Sequence, residues 1–390
     1  MTDLPRISPL HVLIVGGGIA GIEAVLALHD LADAQLRVTL VAPEPDFLLR
    51  PMTVAAPFGR GHAARLPLTG VMHEHSGEFI RGAVRRVDVA AHTVTLTTGE
   101  HLAYDVLVLA PGASAVPAFL HALTFGSHPT ALNGILADLE QGWSRSVAFV
   151  VPPGCSWPLP LYELALMTAE DVWSMNIDDA EVHLFTPERE PLELFGAQAS
   201  SAVAALLAAA HISVHRGVAA RIPKSGHIEA GPGREFSVDC VVALPLLGGP
   251  DIEGVPSNAQ GFIPVDDNGL VDGLADVYAV GDATDRLIKQ GGLACEQADV
   301  TAAHIARRAG ADIEVPALTQ VLQGRLLTGT GERFLRRERG DDDGAATEQR
   351  LSWAPAKVSG SYLAPYLVAR KIVAANSRDR HEAGIAVLVR

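Results

Sequence analysis

The stretch HVLIVGGGIAGIEAVLALHDLADA, residues 11–34, passes from an unbroken apolar run through closely spaced glycines into apolar positions that recur at helical spacing. That order reads as strand, tight turn and helix. Gly16, Gly18 and Gly21 satisfy G-x-G-x-x-G. The first glycine permits the turn, the second lets backbone approach a pyrophosphate, and the third lets the helix lie close to the strand. LRVTLVAP, residues 36–43, follows as a second buried strand, which completes half of a mononucleotide-binding unit. The ribose-binding acid expected at the end of that strand is displaced, because the end position is Ala42. Glu44 is the candidate, reaching around Pro43; the alternative is a solvated acidic turn.

Beyond this unit, FIRGAVRRVDV (79–89) and HTVTLTT (92–98) read as short antiparallel strands, and YDVLVLAPG (104–112) as a return to a buried parallel strand. A second cycle begins at SVAFV (146–150). The helix PLYELALMTAEDVWSM, the strand AEVHLFTPE and the alanine-rich helix ASSAVAALLAAAHI follow, and VDCVVAL (238–244) closes it. DVYAVGDATD (276–285) then supplies a strand ending in Gly-Asp, followed by the helix GLACEQADVTAAHIARRAG. The fold expected is α/β, with two Rossmann-like dinucleotide-binding domains, the second inserted in the first. Residues 1–115 and 245–315 form the split domain, 116–244 the insertion, and 316–390 a C-terminal region that covers the site, meets another subunit or faces an acceptor. Within that region RERGDDDGAATEQR (337–350) reads as a mobile or surface loop with little to bury.

Composition narrows the partners. With 45 acidic and 30 basic residues the formal charge is −15, and no Lys/Arg block tracks a phosphate backbone, which argues against nucleic acid. The hydrophobic share is 48%, yet apolar runs break before the roughly 20 residues needed to span a bilayer. Contact with a membrane surface stays open. Three scattered cysteines and an N-terminus that runs directly into a strand point to a reducing cytoplasm. MHEHSGE (72–78) has an H-x-H spacing but no completing ligand cluster, so no metal is expected.

Four segments, in order, carry a family resemblance: VGGGIAG (15–21), YDVLVLAPGA (104–113), VYAVGDATD (277–285) with KQGGLACEQA (289–298), and PAKVSGSYLAPYL (355–367). Together they resemble the pyridine nucleotide-disulfide oxidoreductase superfamily, in the branch with sulfide:quinone oxidoreductase, flavocytochrome sulfide dehydrogenase and type II NADH dehydrogenase. The resemblance implies FAD as cofactor. It places Gly16, Gly18, Gly21, Ala110, Gly112 and Gly281 at the dinucleotide, Asp282 at the ribityl or pyrophosphate region, and Lys289 and Gln290 near the isoalloxazine. It also brings Arg50-Pro51, in FLLRPM, past the flavin ring. A lysine there would stabilise negative charge on the reduced form.

The loop of the second cycle, VPPGCSWPLP (151–160), departs from this pattern. Where a nicotinamide-nucleotide loop has three glycines, this one has Pro152, Gly154 and Trp157. Proline lacks an N–H, and tryptophan stands where close packing requires no side chain. Conventional NADH binding is therefore not expected. Cys155 falls where the resemblance puts a redox cysteine, and a nearby helix start would favour its thiolate; the plainer reading is a small loop residue. Glu163 is either a proton carrier or a surface glutamate. Tyr362, Leu363, Tyr366 and Leu367 read as the lining of an apolar channel, a membrane face, a dimer contact or a flavin cover. The function expected is electron transfer from a small donor through flavin to a quinone or similar acceptor. The alternatives are an NAD(P)H-dependent flavoprotein reductase with an atypical loop and a non-enzymatic FAD-binding redox sensor or assembly protein.

Overall fold

The computed structural model describes residues 9–60, 63–127, 130–177, 179–348 and 357–372. Two five-stranded parallel sheets organise it. In the first, Leu10–Val15 is central, with Leu36–Ala42 and then Glu78–Arg81 on one side, and Val106–Leu109 and then Val277–Ala279 on the other. The second sheet repeats the plan around Ser146–Val150. Glu181–Phe185 and Ser213–His215 lie on one side, Cys240–Ala243 and Leu123–Thr124 on the other. The chain leaves the first sheet after Leu109, builds the second, and returns at Val277 to complete the first. This is the expected architecture of two Rossmann-like units, one within the other.

Alternation along the central strand explains why its apolar run is continuous. Val12 and Ile14 face a core shared with helix α1 (Ile19–Ala32), while Leu13 and Val15 face the antiparallel layer that holds Val87, Val94 and Leu96. The inserted unit does the same. Val147 and Phe149 pack toward helices, and Ala148 and Val150 toward a small antiparallel sheet with Ile222 and Ile228. The remaining helices are α2 (Leu68–Glu74), α3 (Ala131–Glu140), α4 (Leu159–Ser174), α5 (Ala197–Ala209), α6 (Gly291–Arg308) and α7 (Leu363–Ala369).

Two sequence expectations change. Glu78–Arg81 is a parallel edge strand of the first sheet rather than half of a hairpin. Its Phe79 and Ile80 enter cores on opposite faces, which only a sheet covered on both sides can provide. The acidic segment after Arg337 is not a free loop. It turns a hairpin from Glu332–Arg337 into Ala345–Thr347, and the carbonyls of Asp342 and Asp343 accept the N–H groups of Ala197 and Gln198. Those carbonyls thereby satisfy the start of α5, which no side chain caps. Residues 349–350 of that segment, and 373–390 of the tail, lie outside the described residues.

Candidate active site

The first glycine loop is shaped by its neighbours. Gly16 has φ +115°, and a Cβ there would lie 2.1 Å from the Ala110 carbonyl oxygen. A Cβ on Gly21 would lie 1.8 Å from the oxygen of Gly16, so helix and strand touch at that point. Gly18 differs, because a Cβ there would meet nothing within 4 Å. It is the N-cap of α1, with no side-chain cap and no acid in the first turn. The helix therefore presents unsatisfied N–H groups and the positive end of its dipole to open space. Ala110 is buried behind Gly16 and bonds Val15, so it backs the loop, whereas Gly112 just beyond it faces open space. Glu44 is exposed, two positions past the buried strand end Ala42.

The turn Gly281–Ala283 abuts this opening. A Cβ on Gly281 would come within 2.9 Å of the Ala20 side chain, and one on Gly291 within 3.1 Å of Ile19. The starts of α1 and α6 and the Gly-Asp turn thus converge. Asp282 is partly buried and has no hydrogen-bond or ion-pair partner among the described residues. Burial raises its carboxyl above the usual range, against the attraction of Lys289 and Arg50. The structure accordingly gathers Arg50, Asp282 and Lys289. Lys289 is 7% exposed, its ammonium donates to the Thr284 carbonyl and stands 3.9 Å over the Phe262 ring, and burial brings it down to about 8. Pro51 occupies the first turn of the helical segment Arg50–Phe58. Gln290 is committed internally: its oxygen caps α6 through the Leu293 N–H at 2.8 Å, and its amide donates to the Gln323 carbonyl at 3.2 Å.

The second loop is filled by the protein itself. Trp157 packs edge-on against Phe195 with ring centroids 5.6 Å apart. Tyr162, fully buried on α4, donates its hydroxyl to Glu188 at 2.6 Å, and Thr186 donates to the same oxygen at 2.9 Å. Glu188 follows the strand Glu181–Phe185, the place from which an acid reads a nucleotide ribose in such folds. Here that oxygen is already engaged. Cys155 sits in this packing, and its backbone N–H donates to the Pro152 carbonyl. Burial pushes its thiol up to about 11, with the Trp157 backbone acting weakly the other way and Glu188 adding to the rise. This reverses the thiolate expected from a helix start, since α4 begins only at Leu159 and the sulfur is desolvated. Cys240 contacts Ser144, and Cys295 is fully buried on α6, so each serves packing elsewhere.

Glu163 is not a surface residue. It is 1% exposed, accepts the Leu327 N–H at 2.9 Å and pairs with Lys357. Burial raises the carboxyl and lowers the ammonium, each partner opposing the shift of the other. Leu363 and Leu367 are also buried, in the core beside α1, while Tyr366 donates to Glu74 at 2.8 Å. They therefore do not line an exposed apolar face. His73 and His75 straddle the end of α2, and the His75 ring bonds the Val71 carbonyl. Among the described residues no helix is long and apolar enough to cross a membrane.

A family model described as pyridine nucleotide-disulphide oxidoreductase matches residues 10–141. Over that first third the chain is similar to the pyridine nucleotide-disulphide oxidoreductases. The sulfide-quinone reductase of Aquifex aeolicus is 32% identical over 165 residues, which are 40% of this chain and 38% of that protein. The ferredoxin reductase component of a chlorobenzene dioxygenase from Cupriavidus is 27% identical over 373 residues, 87% of this chain and 86% of its own. Among solved structures, the sulfide:quinone oxidoreductase of Aquifex aeolicus superposes with a TM-score of 0.81 at 20% identity, covering 98% of this chain and 96% of that one.

FAD is the cofactor that the match to this family supports. The residues present fit it. Gly18 leaves room for a phosphate at an uncapped helix start, and the unpartnered Asp282 carboxylate beside it suits sugar hydroxyls. Lys357, Gln297, Phe262 and Glu188 were missed in the sequence. Gln297 fixes the Gly-Asp turn by accepting the Gly281 N–H at 2.9 Å. Glu188 had a signal, the rule of an acid after the second strand, which applies to the inserted unit as it does to the first. Lys357 had none, because its partner lies far away in the chain.

Proposed function

We propose that the chain is an FAD-dependent oxidoreductase that takes electrons from a small donor and passes them, through bound flavin, to a quinone or similar small acceptor. The observation that carries this reading is one architecture used twice with opposite loops. Around Gly18 the dinucleotide loop is open, whereas around Tyr162 and Glu188 the equivalent place is occupied by the protein's own side chains.

FAD, when bound, supplies a ring that takes up an electron pair and gives it up again. The N–H groups at the start of α1 would hold the pyrophosphate, Glu44 the adenosine ribose, and Asp282 the ribityl hydroxyls. Arg50 and Lys289 set positive charge around that carboxylate, and Lys289 favours electron acceptance at the ring. The buried pair of the Lys357 ammonium and the Glu163 carboxylate, shut away from water, would carry a proton for an acceptor that gains protons with its electrons. Cys155, as a neutral, partly buried thiol, contacts substrate at most and performs no required sulfur transfer.

The names of the Aquifex relatives make sulfide the first donor, and quinone the first acceptor, to assay. The ferredoxin reductase relative keeps a reductase as the rival; one fed by a pyridine nucleotide is opposed by the packing of the second loop. An apolar acceptor would be met at a membrane surface, and vesicle flotation of the purified protein tests that contact. The reading itself is tested by extracting the cofactor, then reducing the flavin chemically and following its reoxidation by a short-chain quinone. FAD reoxidised faster by quinone than by dissolved oxygen supports it. Protein that folds without flavin, or reduced flavin indifferent to quinone, sinks it.

A further inference from the structure

Two carboxylates with no part in that scheme meet beneath the C-terminal segment. Glu23, fully buried on α1, accepts the backbone N–H groups of Tyr362 at 2.9 Å and Leu363 at 2.7 Å. Asp299, on the adjoining α6, accepts the Ser361 hydroxyl on Oδ2 at 2.6 Å. Its Oδ1 is buried and receives no hydrogen bond among the described residues, while the Glu23 carboxyl faces it. The segment is pressed onto these acids: a Cβ on Gly360 would lie 2.4 Å from Glu23 Oε2. No cation is paired with either carboxylate among the described residues.

Glu23 receives two backbone donors, one on each oxygen, so it is the member suited to carry charge. Asp299 has one oxygen unmet. Two carboxylates facing each other, one fully buried and the other partly so, do not both ionise without a penalty. One proton between them supplies the missing donor and removes the second charge. We infer that Glu23 and Asp299 share one proton and form a clamp that holds residues 360–363 against α1 and α6, and that loosens as the proton is lost.

Lys357 precedes this segment directly, so the clamp also positions the ammonium that faces Glu163. Only that consequence rests on the function proposed above. Burial, and then Glu23, push Asp299 up to about 8, against roughly 3.9 for a free aspartate. A carboxyl whose value is raised in the closed state contributes stability fully below its free value and loses it as pH rises toward the closed-state value. The clamp is therefore tightest in acid, weakens from about pH 4 to about pH 8, and levels off above.

Other groups around the pair are accounted for. Cys295, on α6, is pushed well above its usual range by burial and by both acids, and stays protonated. Tyr362 is raised by burial, with Asp30, Asp299 and Glu23 adding to it. Tyr366 on α7 and Arg370 at its end engage Glu74, and the His75 ring meets Tyr366 at a tilt and His29 edge-on. Comparison with Asp299→Asn separates these groups from the pair.

The test is amide hydrogen exchange of residues 358–370 in the flavin-loaded protein between pH 6 and pH 9, normalised to free-peptide rates, in the wild type and Asp299→Asn. Protection at Tyr362 and Leu363 should fall about tenfold per pH unit up to about pH 8 and then level off. In Asp299→Asn it should stay flat. Infrared difference spectra of the wild type across the same range should show one protonated carboxyl lost, which serves if the variant folds poorly. Wild-type protection independent of pH, or the same slope in the variant, overturns the clamp. Neither readout depends on turnover, so the electron-transfer reading can fail while the clamp stands.

Discussion

Around Gly16, Gly18 and Gly21 the first Rossmann unit keeps its helix start bare, and a Cβ on Gly18 would meet nothing within 4 Å. Around Pro152, Trp157 and Tyr162 the second unit, with the same arrangement about its central strand, is packed with aromatic side chains and a hydrogen-bonded glutamate. A shared topology thus supplies a place for a dinucleotide without guaranteeing that it stays available. What decides it is whether the loop residues leave the helix N–H groups and the acid after the second strand unsatisfied. In the first unit both stay free, and in the second the acid, Glu188, is taken up by Tyr162 and Thr186 while Trp157 packs on Phe195 beside the loop.

The contrast breaks most completely at the glycine that touches the strand. Gly21→Val would force carbon into the Gly16 carbonyl, so the purified variant should lose bound flavin altogether, read as visible absorbance per protein. Next in size is the joint between the inserted unit and the C-terminal strands. Lys357→Met leaves Glu163 buried without its partner and should cost roughly 3–5 kcal/mol in chemical denaturation. Adding Glu163→Gln should recover much of that, because the double variant removes the stranded charge.

Lys289 sharpens the comparison through pH. Its ammonium is positive below about 8 and neutral above, so the flavin should become harder to reduce as pH rises through that value. Spectroelectrochemical titration of the wild type beside Lys289→Met should show the extra step only in the wild type. In the second unit, Tyr162→Phe removes the donor to Glu188 and should cost about 1.5 kcal/mol, without creating NADH oxidation. The smallest effect on stability belongs to Gly18→Ala. Its new methyl meets no protein atom, so the melting temperature should hardly move while FAD affinity falls.

The sequence made the open unit readable because its signals are local. The glycine spacing, the flanking strand and helix, and the Gly-Asp turn each lie within a short window, and Pro152 and Trp157 announce a departure from the same rule. Features created by distant pairing were not readable. Glu163 looks like any glutamate on an amphipathic helix until Lys357 and Leu327 fold over it. Gln290 looks like a ligand contact, yet α6 needs a cap and takes its side chain. The acidic turn before Gly344 appears to have nothing to bury, but its backbone carbonyls complete α5. For Cys155 the sequence leaves both a redox cysteine and a small loop residue open, and its proximity to a helix gives no warning that the surrounding core desolvates the thiol.

The central claim, one open dinucleotide site and one filled by the protein, is tested most directly by anaerobic stopped-flow mixing of the flavin-loaded protein with NADH, NADPH and sulfide in parallel. Flavin absorbance unchanged by both pyridine nucleotides, with bleaching by a small donor such as sulfide that survives in Cys155→Ser, is the result predicted. Rapid bleaching by NADH or NADPH would contradict it, because the second unit would then be accepting the ligand that Tyr162, Trp157 and Glu188 are held to exclude.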